Sequence, residues 1–211
     1  MYSYKRMNQH EDTASKLIKA GRELFPRKGY EGCSVRDLAH QADANLGAVT
    51  YHFGSKAALY DAVVASFAEP FRARIAEAAQ PPGAPLDRIE GVVRTFFAHL
   101  REEAQLPRLI LQQLASDRPM PESAKRTLQA NHGTLASLIQ AGQADGSIRP
   151  GDARVMAINI AAQPMFMMIL RPVLQEAVAI NQTDPGQWSQ LVEHAVAFVR
   201  GGLAAREGER P

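Results

Sequence analysis

The chain has 211 residues and a mass of 23.1 kDa, and its 45% hydrophobic and 22% charged content excludes wholesale disorder. A single cysteine excludes an internal disulfide and a cysteine-rich zinc site, and fits a reducing, cytoplasmic setting. The net charge of +2 is unevenly spread: residues 1–60 hold nine Lys/Arg against six Asp/Glu, while residues 61–211 hold 15 against 16. An electropositive N-terminal piece is either a solvated helix face, the default for Lys and Arg, or a surface that meets phosphates.

Nearly every segment has helical periodicity, so the predicted fold class is all-α. A first helix is predicted over 13–28, capped by Asp12 or Thr13 and carrying Ala14, Leu17, Ile18, Leu24 and Phe25 on one face. Pro26 should kink its last turn and Gly29 should stop it. Ser34-Val35-Arg36-Asp37 has the spacing of a capping box and opens a second helix ending near Ala42. Asp43-Ala44-Asn45 forms a short turn, and a third helix follows from Leu46 to Phe53. Gly54-Ser55 ends it and starts a fourth, with Leu59, Val63, Phe67 and Phe71 in one stripe, a bend at Pro70 and an end near Ala79. The run from Gln80 to Pro85 is a breaker. Beyond it, helices are predicted over 86–103, 107–115, 122–144, 153–179 and 185–201, the last opened by Asp184-Pro185 and ended by Gly201-Gly202. The uncharged stretch 155–170 is shorter than a membrane span and contains Asn159, Gln163 and Pro164, so no membrane association is expected. The N-terminus lacks the apolar core of a signal peptide.

A helix, a turn of about three residues and a short helix make a helix-turn-helix, here over about 34–53. The third helix is too short to stand alone, and Leu38, Ala39, Ala42 and Val49 are placed to support it. Its other face offers Gly47, Ala48, Thr50, Tyr51 and His52, with Lys56 at the start of the next helix. Small residues let a backbone approach closely, and the rest mix phosphate donors with groups suited to base edges or a thymine methyl.

The run Gly29-Tyr30, then Cys33 to Ala39, then Ala44 to Tyr60, with its Tyr51-His52-Phe53-Gly54-Ser55-Lys56-Ala57-Ala58-Leu59 core, resembles the DNA-binding region of the TetR/AcrR family of bacterial transcriptional repressors. A fainter likeness, in Pro107 to Ile110 and Leu170 to Leu174, is to the CecR-like subgroup. The resemblance implies an N-terminal three-helix DNA-binding head over 1–60 and a C-terminal helical domain over 61–211 for effector binding and dimerisation. It implies a homodimer that reads a double-stranded, pseudo-palindromic operator and is released by a small-molecule effector. The family's DNA-facing positions fall on Ser34, Arg36, Leu46, Gly47, Ala48, Thr50, Tyr51, His52 and Lys56. Tyr51 and Lys56 stand where members contact phosphates, whereas Thr50 replaces a common tyrosine.

In the C-terminal part, Met165, Phe166, Met167 and Met168 suit either an adaptable effector pocket or ordinary core. Gln112, Gln113, Asn159 and Gln163 are uncharged polar residues in apolar helices and face either a ligand or solvent. Tyr60 is expected in the core. Cys33 precedes a helix N-terminus, which leaves a redox role conceivable beside the plainer reading of an inert thiol. The six histidines show no metal-ligand spacing, and no Gly-x-Ser-x-Gly elbow, His-Glu-x-x-His or phosphate-binding glycine loop occurs. Neither catalysis nor a cofactor is expected. The alternative function is a helical scaffold whose head binds a protein partner.

Overall fold

The computed structural model describes the backbone of residues 2–205 and the side chains of residues 13–205. The described chain forms α1 (Tyr2–Gly32), α2 (Val35–Gln41), α3 (Ala48–Phe53), α4 (Lys56–Ala78), α5 (Pro85–Glu102), α6 (Leu106–Leu114), α7 (Glu122–Ala144), α8 (Ala153–Ile169), α9 (Arg171–Val178) and α10 (Pro185–Leu203). Among the described residues the only extended pairing is an isolated bridge between Ile148 and Ala204. No single helix there is long and apolar enough to cross a membrane.

The chain divides into two compact units: residues up to Glu69 with Gln105–Arg126, and Pro70–Ala104 with residues from Thr127 onward. In the first unit, α1, α2 and α3 bury Leu17, Phe25, Leu38, Ala39, Ala42 and Val49, joined by Leu59, Val63 and Phe67 of α4. Gly21 lets α1 approach α4, since a Cβ there would sit 2.5 Å from Val63 Cγ2. Pro70 lacks the N–H that would bond the Ser66 carbonyl one turn earlier. Arg22 fills that vacancy: its Nη1 donates to the Ser66 carbonyl and to Ser66 Oγ, both at 3.0 Å, and its guanidinium lies 3.7 Å from the centre of the Phe67 ring. The helix passes through Pro70 uninterrupted, and the boundary between the compact units falls there.

The second unit is organised on α5, which buries Ile89, Val92, Val93, Phe96, Phe97 and Leu100. Trp188, Val192 and Val199 of α10, and Leu135 and Ile139 of α7, are buried in the same unit. Arg94 pairs with Glu193, and Arg200 pairs with Asp87 and Glu90 at 2.8 Å, so ion pairs edge the α5–α10 contact.

Four predicted boundaries move. The first helix begins at Tyr2, so positions 12 and 13 are interior and not a cap. It also runs through Pro26 and leaves helical geometry only at Gly29 (φ 71°, ψ 173°), a region open to glycine. The segment predicted as one helix over 153–179 is two, bent by 66° at Leu170. Pro172 explains the break: it has no N–H to give the Met168 carbonyl, and it starts α9 in its first turn. Gln182 Nε2 caps the broken end by donating to the Met167 carbonyl at 3.0 Å. The third helix starts at Ala48, with Leu46 and Gly47 in the turn before it. The last passes through Gly201-Gly202 and ends at the buried Leu203.

Candidate nucleic-acid interface

The capping box forms as its spacing predicts. Ser34 Oγ accepts the Asp37 N–H at 3.0 Å, and Asp37 Oδ2 accepts the Ser34 N–H at 2.9 Å and the Ser34 hydroxyl at 2.7 Å. Lys28 reaches Asp37 at 3.1 Å, fastening α1 to the start of α2. The Ser34 N–H first, then its hydroxyl, then Lys28 hold the Asp37 carboxyl far below its ordinary 3.8. A folded-state pKa below the unfolded value stabilises the fold above the unfolded value, and that gain is lost as pH falls toward the folded one. Acidification below about pH 4 should therefore weaken the head less in Asp37→Asn than in the unchanged protein. Urea midpoints followed across that range check this, and parallel pH dependence of the two proteins would contradict it.

From α2 the chain turns through Asp43 (φ 49°), a left-handed position that aspartate tolerates, and the Ala44 N–H returns to the Ala39 carbonyl at 2.9 Å. The turn delivers α3 with Ala48 and Val49 inward. Outward stand Leu46, 56% exposed, Gly47, Thr50 and Tyr51, 70% exposed. The Tyr51 ring meets His52 edge-on at 5.0 Å, and His52 is half-buried. Gly54 (φ 77°) ends α3, and Ser55 Oγ accepts the Ala58 N–H at 3.1 Å to open α4.

Eight of the nine predicted DNA-facing residues are thus exposed or half-exposed in the first unit: Ser34, Arg36, Leu46, Gly47, Thr50, Tyr51, His52 and Lys56. Ala48 is not on that face. It is 6% exposed, so its methyl supports α3 from inside and has no path to a groove. Ser34 is exposed, but its hydroxyl is committed to the cap. Arg36 flanks an open groove of about 360 Å³ with Leu24, Lys28, Asp37, His40 and Gln41.

Cys33 is fully buried, and burial first, then Asp37, raises its thiol pKa. A thiol kept protonated inside the head is inert, which supports the plainer reading. Tyr60 is buried, as expected. Its hydroxyl pKa is raised by burial, so it stays a donor, and it gives its hydrogen to Gln113 Oε1 at 3.1 Å.

The predicted effector residues are divided between the two units. Gln112 and Gln113 belong to α6 in the first unit, while Asn159, Gln163, Met165, Phe166 and Met168 belong to α8 in the second. Gln112 lies against Gly29, where a Cβ would come within 2.9 Å of its Oε1. Gln113 also donates to the carbonyls of Arg118 (3.1 Å) and Pro119 (3.3 Å). The side-chain amide of Gln113 is therefore engaged by the fold itself. On α8, Asn159 and Phe166 are exposed, Met165 is half-buried and Met168 is buried. Gln163 is half-buried with a buried Oε1 that has no hydrogen-bond partner. A separate open groove of about 390 Å³ in the second unit is lined by Arg88, Gly133, Thr134, Ser137 and Leu138 among others, none of them predicted.

Sequence reasoning also missed the surroundings of Lys56. Its Nζ lies 4.1 Å from the centre of the Tyr30 ring, and the Arg118 guanidinium carbon lies 3.4 Å from the same centre. Nothing local in the sequence could bring Arg118 to Tyr30. Among the described residues no group of three or more His, Cys, Asp or Glu is placed to hold a metal ion.

Residues 17–63 match the family described as "Bacterial regulatory proteins, tetR family", and residues 85–199 match "Tetracyclin repressor-like, C-terminal domain". The HTH-type transcriptional repressor KstR2 of Mycolicibacterium smegmatis is 25% identical over 207 residues, covering 96% of each chain. The HTH-type transcriptional regulator RutR of Escherichia coli is 22% identical over 90% of each. Among solved structures, a tetR-family regulatory protein from Rhodococcus RHA1 superposes with a TM-score of 0.76 at 21% identity, covering 92% of this chain and 98% of that one. The C-terminal match alone takes in more than half of the sequence, and the N-terminal one contains the helix-turn-helix just described: the chain belongs to the tetR family of bacterial DNA-binding transcriptional regulators.

Proposed function

We propose that the protein is a cytoplasmic, homodimeric repressor that leaves its operator when a small molecule binds, with the head over 1–60 reading DNA and the chain beyond serving effector and dimer. The observation that carries this reading is the display of Leu46, Gly47, Thr50 and Tyr51 outward from a six-residue helix held by the capping box beneath it. Gly47 presents no side chain, so the start of α3 can approach a base edge. Thr50 offers a hydroxyl and a methyl, the pair suited to base edges and a thymine methyl. Tyr51 and Lys56 flank it as phosphate contacts, with Arg36 and His52 beside them. Turnover has no part in this action, and the family affiliation supports regulation over a protein-binding scaffold.

Dimerisation would use the second unit. Val155, Ile158 and Phe166 of α8 are exposed at helical spacing, and Phe198 of α10 is 71% exposed. Large apolar groups in this number on two helices suit a self-complementary partner. Two heads then meet two half-sites. Of the residues predicted for the effector, Gln163 and Met168 are retained, because an unpartnered acceptor and a buried thioether on one helix suit a largely apolar ligand with a donor group. The effector shifts DNA occupancy only by its preference for one state over the other, about 1.4 kcal/mol for a tenfold change.

Tyr51→Ala and Lys56→Ala should each weaken binding to any duplex, and Lys56→Ala, which removes a charge, should also lower the log–log salt slope by about 0.9. Thr50→Ala should instead change the sequence selected from a random pool. Titrations of duplex DNA at several salt concentrations, followed by selection, read both. Unaltered affinity in the first pair, or an unaltered selected sequence for Thr50→Ala, would remove those residues from the interface.

A further inference from the structure

The open groove of about 390 Å³ in the second unit lies outside every residue assigned so far, and none of its lining belongs to α8. Its one charged side chain is Arg88 of α5, which is half-buried. Arg88 Nε donates to the Ala79 carbonyl at 2.9 Å, and Nη2 donates to the same oxygen. Ala79 follows the last residue of α4, so the guanidinium caps a helix end. A guanidinium carries five N–H groups, and the cap takes two of them along one edge. The end-on pair, one N–H from each terminal nitrogen, remains for a second acceptor, and a carboxylate is the group that accepts two parallel bonds of this kind. The acidic residues beside Arg88 on its own helix do not supply it, because Asp87 and Glu90 are both held by Arg200 at 2.8 Å. Among the described residues Arg88 pairs with no acidic group.

The other wall is one face of α7, where Gly133, Ser137 and Ala141 stand one turn apart. Gly133 lies in the middle of a 23-residue helix, where glycine is less stable than alanine. Packing does not require it, since a Cβ there would meet nothing within 4 Å. The chain's own interior gives no reason for the missing side chain, whereas a molecule lying against the backbone of α7 would. Ser137 is exposed and adds a hydroxyl donor, and Ala79, Leu138 and Ala141 make most of the remaining lining apolar. One cation in such a lining suits a single negative charge on an apolar body better than a strongly hydrated phosphate dianion. We propose that this groove is a binding site for a small organic carboxylate. Arg88 takes the carboxylate end-on, Ser137 donates to the same head group, and the apolar body lies over Gly133 against Leu138 and Ala141. The site stands independently of the effector assignment of Gln163 and Met168, which lie on α8.

The test uses hexanoate as the probe on the full-length protein, followed by ligand-observed NMR, with hexanamide and inorganic phosphate in parallel. Hexanoate should bind saturably at a single site in roughly the millimolar range. Hexanamide keeps the length and loses the charge, and should bind about tenfold more weakly or worse. Phosphate should not compete. Arg88→Gln can still donate to the Ala79 carbonyl, and Gly133→Leu fills the groove without touching Arg88; each should weaken hexanoate by about tenfold or more. Gly133→Leu places its side chain in open space and removes a helix glycine, so its melting midpoint should not fall. That variant keeps the test decisive if Arg88→Gln loosens the end of α4. No saturable binding of hexanoate up to about 20 mM, hexanamide binding as tightly, or displacement by phosphate overturns the proposal. Binding that survives Gly133→Leu overturns it as well. Binding lost in Gln163→Leu and kept in both groove variants would place the acid at the α8 site, which overturns the groove and leaves the effector assignment standing.

Discussion

Phe198→Glu should turn the protein into a monomer at concentrations where the unchanged chain is a dimer. Phe198 lies on α10 with 71% of its surface exposed, and Val155, Ile158 and Phe166 are exposed on α8 of the same unit. A twofold interface buries both copies of each residue. Removing two phenylalanines from such a contact costs about 1.5–3 kcal/mol each, and two facing carboxylates add desolvation and repulsion. The dimer should weaken by about a thousandfold or more. Operator affinity should fall with it, because a single head reaches one half-site. Sedimentation velocity reads the assembly, and Phe198→Leu serves as the control that keeps the apolar contact. Each subunit should stay folded, since Phe198 contributes little to its own interior. A dimer that survives Phe198→Glu would move the interface elsewhere.

Gly21→Val should unfold or strongly loosen the head. The first carbon of any side chain there would lie 2.5 Å from Val63 Cγ2, with the Phe25 ring at 3.2 Å. Valine adds two further methyl groups to a space that holds none. α1 cannot back away freely, because Arg22 on the next position is tied to Ser66 of α4 by two hydrogen bonds at 3.0 Å. Overpacking of this kind costs about 1–3 kcal/mol or more, against about 0.5–1 kcal/mol regained by removing a glycine from a helix. A melting midpoint lowered by several degrees and loss of duplex binding are the expected results, followed by circular dichroism and a DNA titration. An unchanged midpoint would mean that α1 and α4 pack less tightly than described.

What the sequence made legible was mostly local. The capping box at Ser34 and Asp37 could be read because cap and partner are three residues apart, and the Leu59, Val63, Phe67 and Phe71 stripe because one helix carries all four. Ala48 was misplaced for the opposite reason. In a helix of six residues periodicity defines no face, and only the packing of α3 on α1 and α2 turns Ala48 inward. The break at Leu170 was visible as Pro172, yet the apolar run on either side favoured continuity, and only the 66° bend resolves the two. Gln113, polar in an apolar helix, suggested either a ligand or solvent as its partner. Its true partners, the Tyr60 hydroxyl and the carbonyls of Arg118 and Pro119, are one distant residue and one loop, which no spacing rule connects.

That the unit bearing the helix-turn-helix is assembled from residues up to Glu69 and from Gln105–Arg126 has a consequence for synthesis and for engineering. On the ribosome, α1 to α4 emerge first but wait for α6 and the start of α7 before Tyr30, Tyr60 and Asp61 find their partners; Asp61 accepts from Ser123 N–H and Oγ at 3.1 and 2.7 Å. A chimera that joins these first helices to another regulator's sensor at a single splice point would strip that cover and expose the faces it protects. A working graft has to carry both pieces, or borrow a host whose own equivalent segment offers a glutamine, an arginine and a serine in the same places.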